Sequence, residues 1–249
     1  MTISDSSLFE QLAEGLGGAK TPKRIKYNCT SAFGGVNLEG RTILEIGAGA
    51  GLLSAYASQF AQHVVALEPE AAGSSGDYLS TIHRLKHSLQ ATNLEIVSNV
   101  LQDYKFHGQR FDLVVLHDSV NHLCEDACEH LHQSEEARRI YQDIFSHVAE
   151  MMVDGGRMLI FDCSPRNFFH LAHVKHPITP QIEWRKHQPP RVWLSLLEPL
   201  GFVREELSWT VAYPLRVFSP ILANSVAAFF LFSHFRLIVH LDRQVRNSK

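Results

Sequence analysis

The chain has 249 residues, with 23 Lys and Arg against 26 Asp and Glu and a formal net charge of −3. That length suits one α/β domain and is too short for two full domains with linkers. The near balance of charge argues against a dominant nucleic-acid-binding surface.

The chain starts without a basic segment followed by an apolar core, so no secretory leader is expected. Residues 1–40 divide into a short amphipathic pattern, Leu8, Phe9, Leu12 and Leu16, and a glycine-broken basic stretch. They predict an N-terminal helix and a capping loop. From Arg41 the pattern becomes regular. "TILEIG" predicts a strand, "GLLSAYASQFA" a helix with Leu52, Leu53, Tyr56 and Phe60 on one face, and "HVVALEP" a second strand. Asp77 is a cap for a helix in which Ile82, Leu85 and Leu89 recur. "LEIVSN" and "FDLVVLH" are strands three and four. Ser134 caps a helix with Ile140, Ile144 and Val148 in a stripe; "DGG" then turns the chain into strand five, "RMLIFD". Short apolar strands alternating with helices predict a parallel sheet covered on both faces.

After Asp162 the rhythm loosens into a segment rich in His, Pro and aromatic residues. Pro189 and Pro190 open a helix with Trp193, Leu196 and Leu197 inward, and Gly201 ends it. A sixth strand follows. The apolar region "SPILANSVAAFFLFSHFRLIVHL" is interrupted by Asn224, Ser225, Ser233, His234 and Arg236. Its unbroken part is well short of the roughly 20 residues that span a bilayer, so a buried helix and a last strand are expected and no transmembrane segment. Four cysteines, Cys29, Cys124, Cys128 and Cys163, follow no disulfide-framework spacing, which points to a reducing compartment, the cytoplasm.

The chemistry gathers at "LEIGAGAG". Gly47, Gly49 and Gly51 let a ligand approach the backbone and permit positive φ. A dinucleotide fingerprint needs G-x-G-x-x-G/A, and its third position here is Leu52. Glu45 stands two residues before the first glycine; a carboxylate there suits a cofactor bearing ammonium and sulfonium groups better than a pyrophosphate. Glu68, at the end of the second strand, can accept both hydroxyls of an adenosine ribose, and the phosphate-binding G-x-x-x-x-G-K-[ST] motif is absent.

"LEIGAGAG" and "ALEP", followed by "FDLVVLHDSVNHL" and "DGGRMLIFD", together resemble class I S-adenosylmethionine-dependent methyltransferases of the small-molecule type, over residues 41–162. The resemblance implies an α/β, Rossmann-like, seven-stranded, mostly parallel sheet with helices on both faces and the last strand antiparallel. It implies an N-terminal helix and loop (1–40), a cofactor-binding core (41–162) and a C-terminal completion of the sheet with substrate-lid insertions (163–249). The implied cofactor is S-adenosylmethionine, with S-adenosylhomocysteine as product. Glu45, Gly47 and Gly49 then line its methionine portion, Ala48 and Gly51 also bind the cofactor, Glu68 takes the ribose, and Pro69 lies near the adenine. Val100 stands where the family often has an acid, so the adenine contact passes to Leu101 or Gln102, with Asp103 a further candidate. His117 faces the methionine amino group, and His122 matches the second histidine of a frequent "HHL" element.

Methyl transfer to a hydroxyl or a protonated amine gains from a base. His122 and His117 are the first candidates, with His170 and His173 behind them. His122, Cys124, Cys128, His130 and His132 offer metal-binding atoms without the paired spacing of a zinc site, and no metal is expected. The acceptor is expected to be a small molecule, methylated on oxygen first and nitrogen next. A hydrophobic or lipid-linked acceptor would suit an apolar lid, and the aromatic residues equally fit a core or a homodimer contact. No nucleic-acid partner is expected. The rivals are a catalytically silent cofactor-binding subunit, a membrane-surface adaptor using the C-terminal apolar helix, and, further off, an NAD-dependent oxidoreductase.

Overall fold

In the computed structural model, residues 5–69, 77–177 and 179–247 are described. The backbone divides into two units, Met1–Val115 and Leu116–Lys249.

The first unit begins with α1 (Asp5–Gly15) and α2 (Pro22–Phe33). The second of these replaces the loop expected from the sequence. Thr21 accepts the Arg24 N–H, Pro22 occupies the first turn, and Ile25, Cys29, Ala32 and Phe33 bury one face. The basic residues that suggested a loop, Lys23, Arg24 and Lys26, flank Ile25 in the first turns of this helix. Then come β1 (Thr42–Ile46), α3 (Leu52–Ala57), β2 (His63–Leu67), α4 (Tyr78–Ser88) and β3 (Leu94–Val97). Asp77 caps α4, accepting the Ser80 N–H at 3.2 Å. β4 (Phe111–His117) crosses the boundary between the units. The run of aliphatic residues in β1 and β2 is buried, as a strand covered on both faces requires. Tyr56 of α3 stacks on Phe9 and Phe33, with ring centroids 5.9 and 6.0 Å away, so both N-terminal helices are built onto α3. Phe60 lies beyond the short α3 and is exposed.

The second unit continues with α5 (Glu125–His130), α6 (Glu135–Met151), β5 (Met152–Cys163), α7 (Phe168–Leu171) and α8 (Pro190–Leu197). Next are β6 (Phe202–Trp209), α9 (Ser219–Leu222), α10 (Ser225–Phe230), β7 (His234–Leu241) and α11 (Arg243–Asn247). Ser134 caps α6 as its sequence implied, and Gly201, at φ 91°, ends the 3-10 turn after α8. Asp154 to Gly156 belong to β5 rather than to a separate turn, although pairing with β7 begins only at Arg157.

The expected buried helix before the last strand is two short ones. Asn224 intervenes, its Oδ1 accepting the Val226 and Ala227 N–H groups at 3.0 Å, and this cap starts α10 afresh. Ile221, Val226 and Phe230 are exposed rather than buried.

The seven strands run in the order β3-β2-β1-β4-β5-β7-β6. β1 is parallel to β2 and β4, and β2 to β3; β7 is antiparallel to both β5 and β6. The sequence expectation of a mostly parallel sheet with an antiparallel last strand holds. No helix among the described residues is long and apolar enough to cross a membrane.

Candidate functional site

The loop after β1 is held against the end of β2. The N–H groups of Gly47 and Ala48 both donate to the Leu67 carbonyl, at 2.8 and 3.1 Å. Gly47, Gly49 and Gly51 have φ of 72°, 53° and 75°. At Gly51 a Cβ would press into Ile82 at 2.6 Å, whereas at Gly49 it would meet nothing within 4 Å. Gly51 therefore answers to packing and Gly49 to open space above the backbone, where a ligand has room.

Glu45 is buried at the foot of this loop, and Ser54 donates its hydroxyl to Oε2. Burial raises the carboxyl from 4.5 to about 7, against the Ser54 hydrogen bonds, with the like charge of Glu68 adding to the rise. Among the described residues no basic side chain offsets it. A buried carboxylate beside a second carboxylate is a receptor for a cation. The ammonium and sulfonium groups of S-adenosylmethionine meet that requirement, so these residues fit the cofactor. Glu68 accepts the Gly49 N–H on Oε2 at 2.7 Å, which fixes the loop and leaves the other oxygen for a hydroxyl donor. Pro69 follows it, half-buried. Leu101, buried, opens a 3-10 turn (Leu101–Asp103), while Gln102 and Asp103 are exposed on it and Val100 precedes it.

A different group forms at the end of β5 in the second unit. Asp162 is buried, and its Oδ1 accepts the Cys163 N–H at 2.7 Å and lies 2.6 Å from His187 Nδ1. Its Oδ2 accepts from Trp193 Nε1 at 3.3 Å. Burial pushes the Asp162 carboxyl up, and the His187 imidazole works against that rise. Trp193 itself is wedged against Tyr141 and Phe145, which fixes the donor in place. The segment bearing His187 is tied down on both sides: the Lys186 carbonyl accepts from Cys128 Sγ at 3.2 Å, and Gln188 Nε2 donates to the Cys128 carbonyl at 2.6 Å. No hydrogen bond to His187 Nε2 is found among the described residues, and its side chain is 16% exposed.

The remaining predicted histidines are differently placed. His117 ends β4, with its ring 4.8 Å from that of Phe161 and its Nδ1 3.3 Å from Asp118 Oδ2. The Asp118 N–H donates to the Phe161 carbonyl at 3.1 Å, so His117 and Asp162 belong to adjoining strand ends. His122 lies on a 3-10 turn, its Nδ1 2.6 Å from Glu125 Oε1, and its side chain is 56% exposed. Glu125 also pairs with Lys186 at 2.9 Å. His170 is half-buried in α7 and His173 is exposed. Cys128 and His130 have protein partners, the Lys186 and Asp126 carbonyls.

Among the described residues, one group of three potential metal ligands occurs: Asp162, Cys163 and His187, with ligand atoms within 4.8 Å of one another. The 2.6 Å separation of Nδ1 and Oδ1 is a hydrogen-bond distance. Two ligands each about 2 Å from a tetrahedral zinc ion would stand further apart. Burial also raises the Cys163 thiol, against the thiolate a metal requires. The group is built around a shared proton.

Residues 44–142 match the sequence family described as "Methyltransferase domain". Over this stretch the chain carries a methyltransferase domain, in keeping with its resemblance to class I S-adenosylmethionine-dependent methyltransferases. No curated protein sequence matches the methyltransferase at a significant level. Solved structures share its fold at low identity. Magnesium protoporphyrin IX methyltransferase from Synechocystis PCC 6803, a structure with bound S-adenosylmethionine, superposes with a TM-score of 0.54 at 13% identity, over 96% of this chain and 93% of that one. A TehB-like methyltransferase from Corynebacterium glutamicum gives 0.51 at 15% identity, over 95% and 97%. The N-methyltransferase NodS from Bradyrhizobium japonicum gives 0.51 at 12% identity, over 96% and 99%. The nicotinamide and silent-subunit alternatives give way to an enzyme that uses S-adenosylmethionine.

Asp162 and His187 were not singled out from the sequence as a pair. They stand 25 positions apart, across a segment without clear periodicity. The available signal was an acid closing an apolar strand, followed by a histidine beside Pro189-Pro190.

Proposed function

We propose that this methyltransferase methylates a small-molecule acceptor, on a hydroxyl oxygen first and on nitrogen as the next choice. The observation that carries this choice is His187, oriented through Nδ1 by buried Asp162 and with no hydrogen bond to Nε2 among the described residues. A hydroxyl must lose its proton as it gains a methyl group, and a neutral, fixed imidazole suits that task near neutral pH.

When bound, S-adenosylmethionine supplies a methyl group on a sulfonium, with a neutral thioether as leaving group. The chain's residues hold and orient. Glu45 would face the cationic methionine end, and Gly47, Ala48, Gly49 and Gly51 would offer it a backbone surface. Glu68 would take the ribose hydroxyls, Pro69, Leu101 and Gln102 would border the adenine, and His117 would flank the amino group. His187 Nε2 would accept the acceptor's proton while Asp162 steadies the resulting imidazolium. Trp193 and the Cys163 N–H keep Asp162 oriented.

His122 supports a second choice of base, because Glu125 holds its Nδ1 at 2.6 Å. Lys186 draws on the same carboxylate, which leaves it less able to stabilise an imidazolium. Labelled S-adenosylmethionine is incubated with paired hydroxyl and amine small molecules, and products are identified by mass. His187→Ala should abolish transfer to the hydroxyl members and His122→Ala should not. Transfer confined to macromolecules, or undiminished in His187→Ala, would overturn the proposal.

A further inference from the structure

The charge of the chain is unevenly distributed along it. Of the 26 acidic residues, none falls within residues 164–182 or 207–241. The same two segments carry most of the exposed large apolar side chains among the described residues. Val217, Ile221 and Val226, around α9 and α10, are 68%, 72% and 68% exposed, with Phe218 and Phe230 also standing out. Leu171 and Val174, around α7, are exposed beside them.

The two segments are one surface. Ser164 donates its N–H to the Ser233 carbonyl at 2.9 Å, and His176 Nε2 lies 3.0 Å from the Leu231 carbonyl. The Phe168 and Phe230 rings are 5.8 Å apart. Cations mark this surface: Arg166 and Lys175 are exposed, and Arg216 rests over the Tyr213 ring at 4.1 Å. None of the three has a carboxylate partner among the described residues. The acids at the borders are already engaged, Glu183 by Lys186 at 2.7 Å and Glu206 by Arg236 at 2.7 Å.

We propose that this face docks on an anionic lipid bilayer. Protruding apolar side chains on turns and very short helices suit a deformable medium, into which each can insert separately. Cations without interspersed acids complement the negative surface potential of such a membrane. The complementarity selects the occupant: an acid-free, cation-bearing face repels a second copy of itself, and a neutral bilayer would leave its charges without a counterpart. The proposal is independent of the acceptor assigned above, since it rests on the exposed apolar side chains and cations of this face and on no residue of the Asp162–His187 pair.

The test is vesicle flotation without methyl donor, using the full chain and two compositions, pure phosphatidylcholine and the same lipid with phosphatidylserine. The wild type should float with the anionic vesicles, bind the neutral ones at least about tenfold less, and lose binding as salt rises. Ile221→Glu with Val226→Glu should reduce anionic binding about tenfold or more, with an unchanged melting temperature because both sites are exposed. Arg166→Gln with Lys175→Gln, which leaves the apolar side chains intact, should weaken it about fivefold per charge removed. Equal binding to both vesicles, no binding, or unchanged binding by folded variants would overturn the proposal. So would wild-type self-association that Ile221→Glu abolishes, since the face would then belong to a second copy. Methyl transfer to soluble acceptors, measured on the same samples, reports separately on the catalytic proposal.

Discussion

Two buried carboxylates close strands of this sheet, and their surroundings differ. Glu45, on β1, has the Ser54 hydroxyl, a like charge in Glu68 and no basic side chain among the described residues. Asp162, on β5, has an imidazole at 2.6 Å, an indole N–H and a backbone N–H. Burial raises both. On the proposed function, one carboxylate is completed from outside, by a cation that arrives, and the other from inside, by an imidazole the chain supplies. A buried charge left incomplete costs stability, and the binding of its partner recovers it.

The largest effect expected from breaking this contrast is at the imidazole. His187→Ala should lower kcat for a hydroxyl acceptor by about 10²- to 10⁴-fold while leaving S-adenosylmethionine affinity within about twofold. Stopped assays and calorimetry on one preparation check both. Asp162→Asn should lower kcat by a similar factor, since an amide donating to Nδ1 would leave the proton on Nε2, where the acceptor's proton is to go.

Glu45→Gln should weaken S-adenosylmethionine binding by about a hundredfold, the value of a buried hydrogen bond to a charged group. The same substitution should stabilise the cofactor-free protein. The folded pKa of Glu45, about 7, lies above its ordinary 4.5. Stability is therefore highest where the carboxyl is protonated in both states, falls as pH rises from about 4.5 to 7, and stays low above. At about pH 8 the gain on replacement should approach 3 kcal/mol and should vanish near pH 4, as denaturant titrations at both pH values would show. A destabilised Glu45→Gln at pH 8 would mean that the chain itself completes this charge.

The cofactor's response has the opposite sign. Its affinity should rise on the order of tenfold between about pH 5.5 and 7, as Glu45 ionises, before an α-amino group begins to lose its own proton. In Glu45→Gln the slope should disappear. The smallest effect is at the indole. Trp193→Phe removes one weak donor to Asp162, and beyond the packing change it should cost about 1 kcal/mol.

The same division runs through what the sequence discloses. β4 has the bounds its apolar run implied, and the helix caps at Asp77 and Ser134 stand where hydroxyl and carboxyl side chains precede a periodic stripe. These are local signals. α2 was hidden because Lys23, Arg24 and Lys26 around Ile25 weaken its apolar stripe to the eye, while burial of the face selects the helix. The break between α9 and α10 was hidden by continuous hydrophobicity, which masks a single asparagine able to cap. Glu45 was legible as an anion beside a glycine loop, because both lie within a few residues. The Asp162–His187 pair was not, because it depends on how α8 and the preceding 3-10 turn (Trp184–Lys186) pack, and no local period encodes that.

The reversed direction of β7 has a further consequence. Since β7 runs between β5 and β6 in the opposite sense, Cys163 pairs with His234, and Thr210 donates its N–H to the His234 carbonyl at 2.9 Å. The connection from β6 to β7 thus leaves and re-enters the sheet at neighbouring points, as a hairpin does, with no crossover to preserve. Loop closure changes only slowly with length, so this excursion can be lengthened, shortened or exchanged with little disturbance to the strands. Beside the Asp162–His187 pair it is an interchangeable attachment, whose length and sequence can change while β5, β6 and β7 stay as they are.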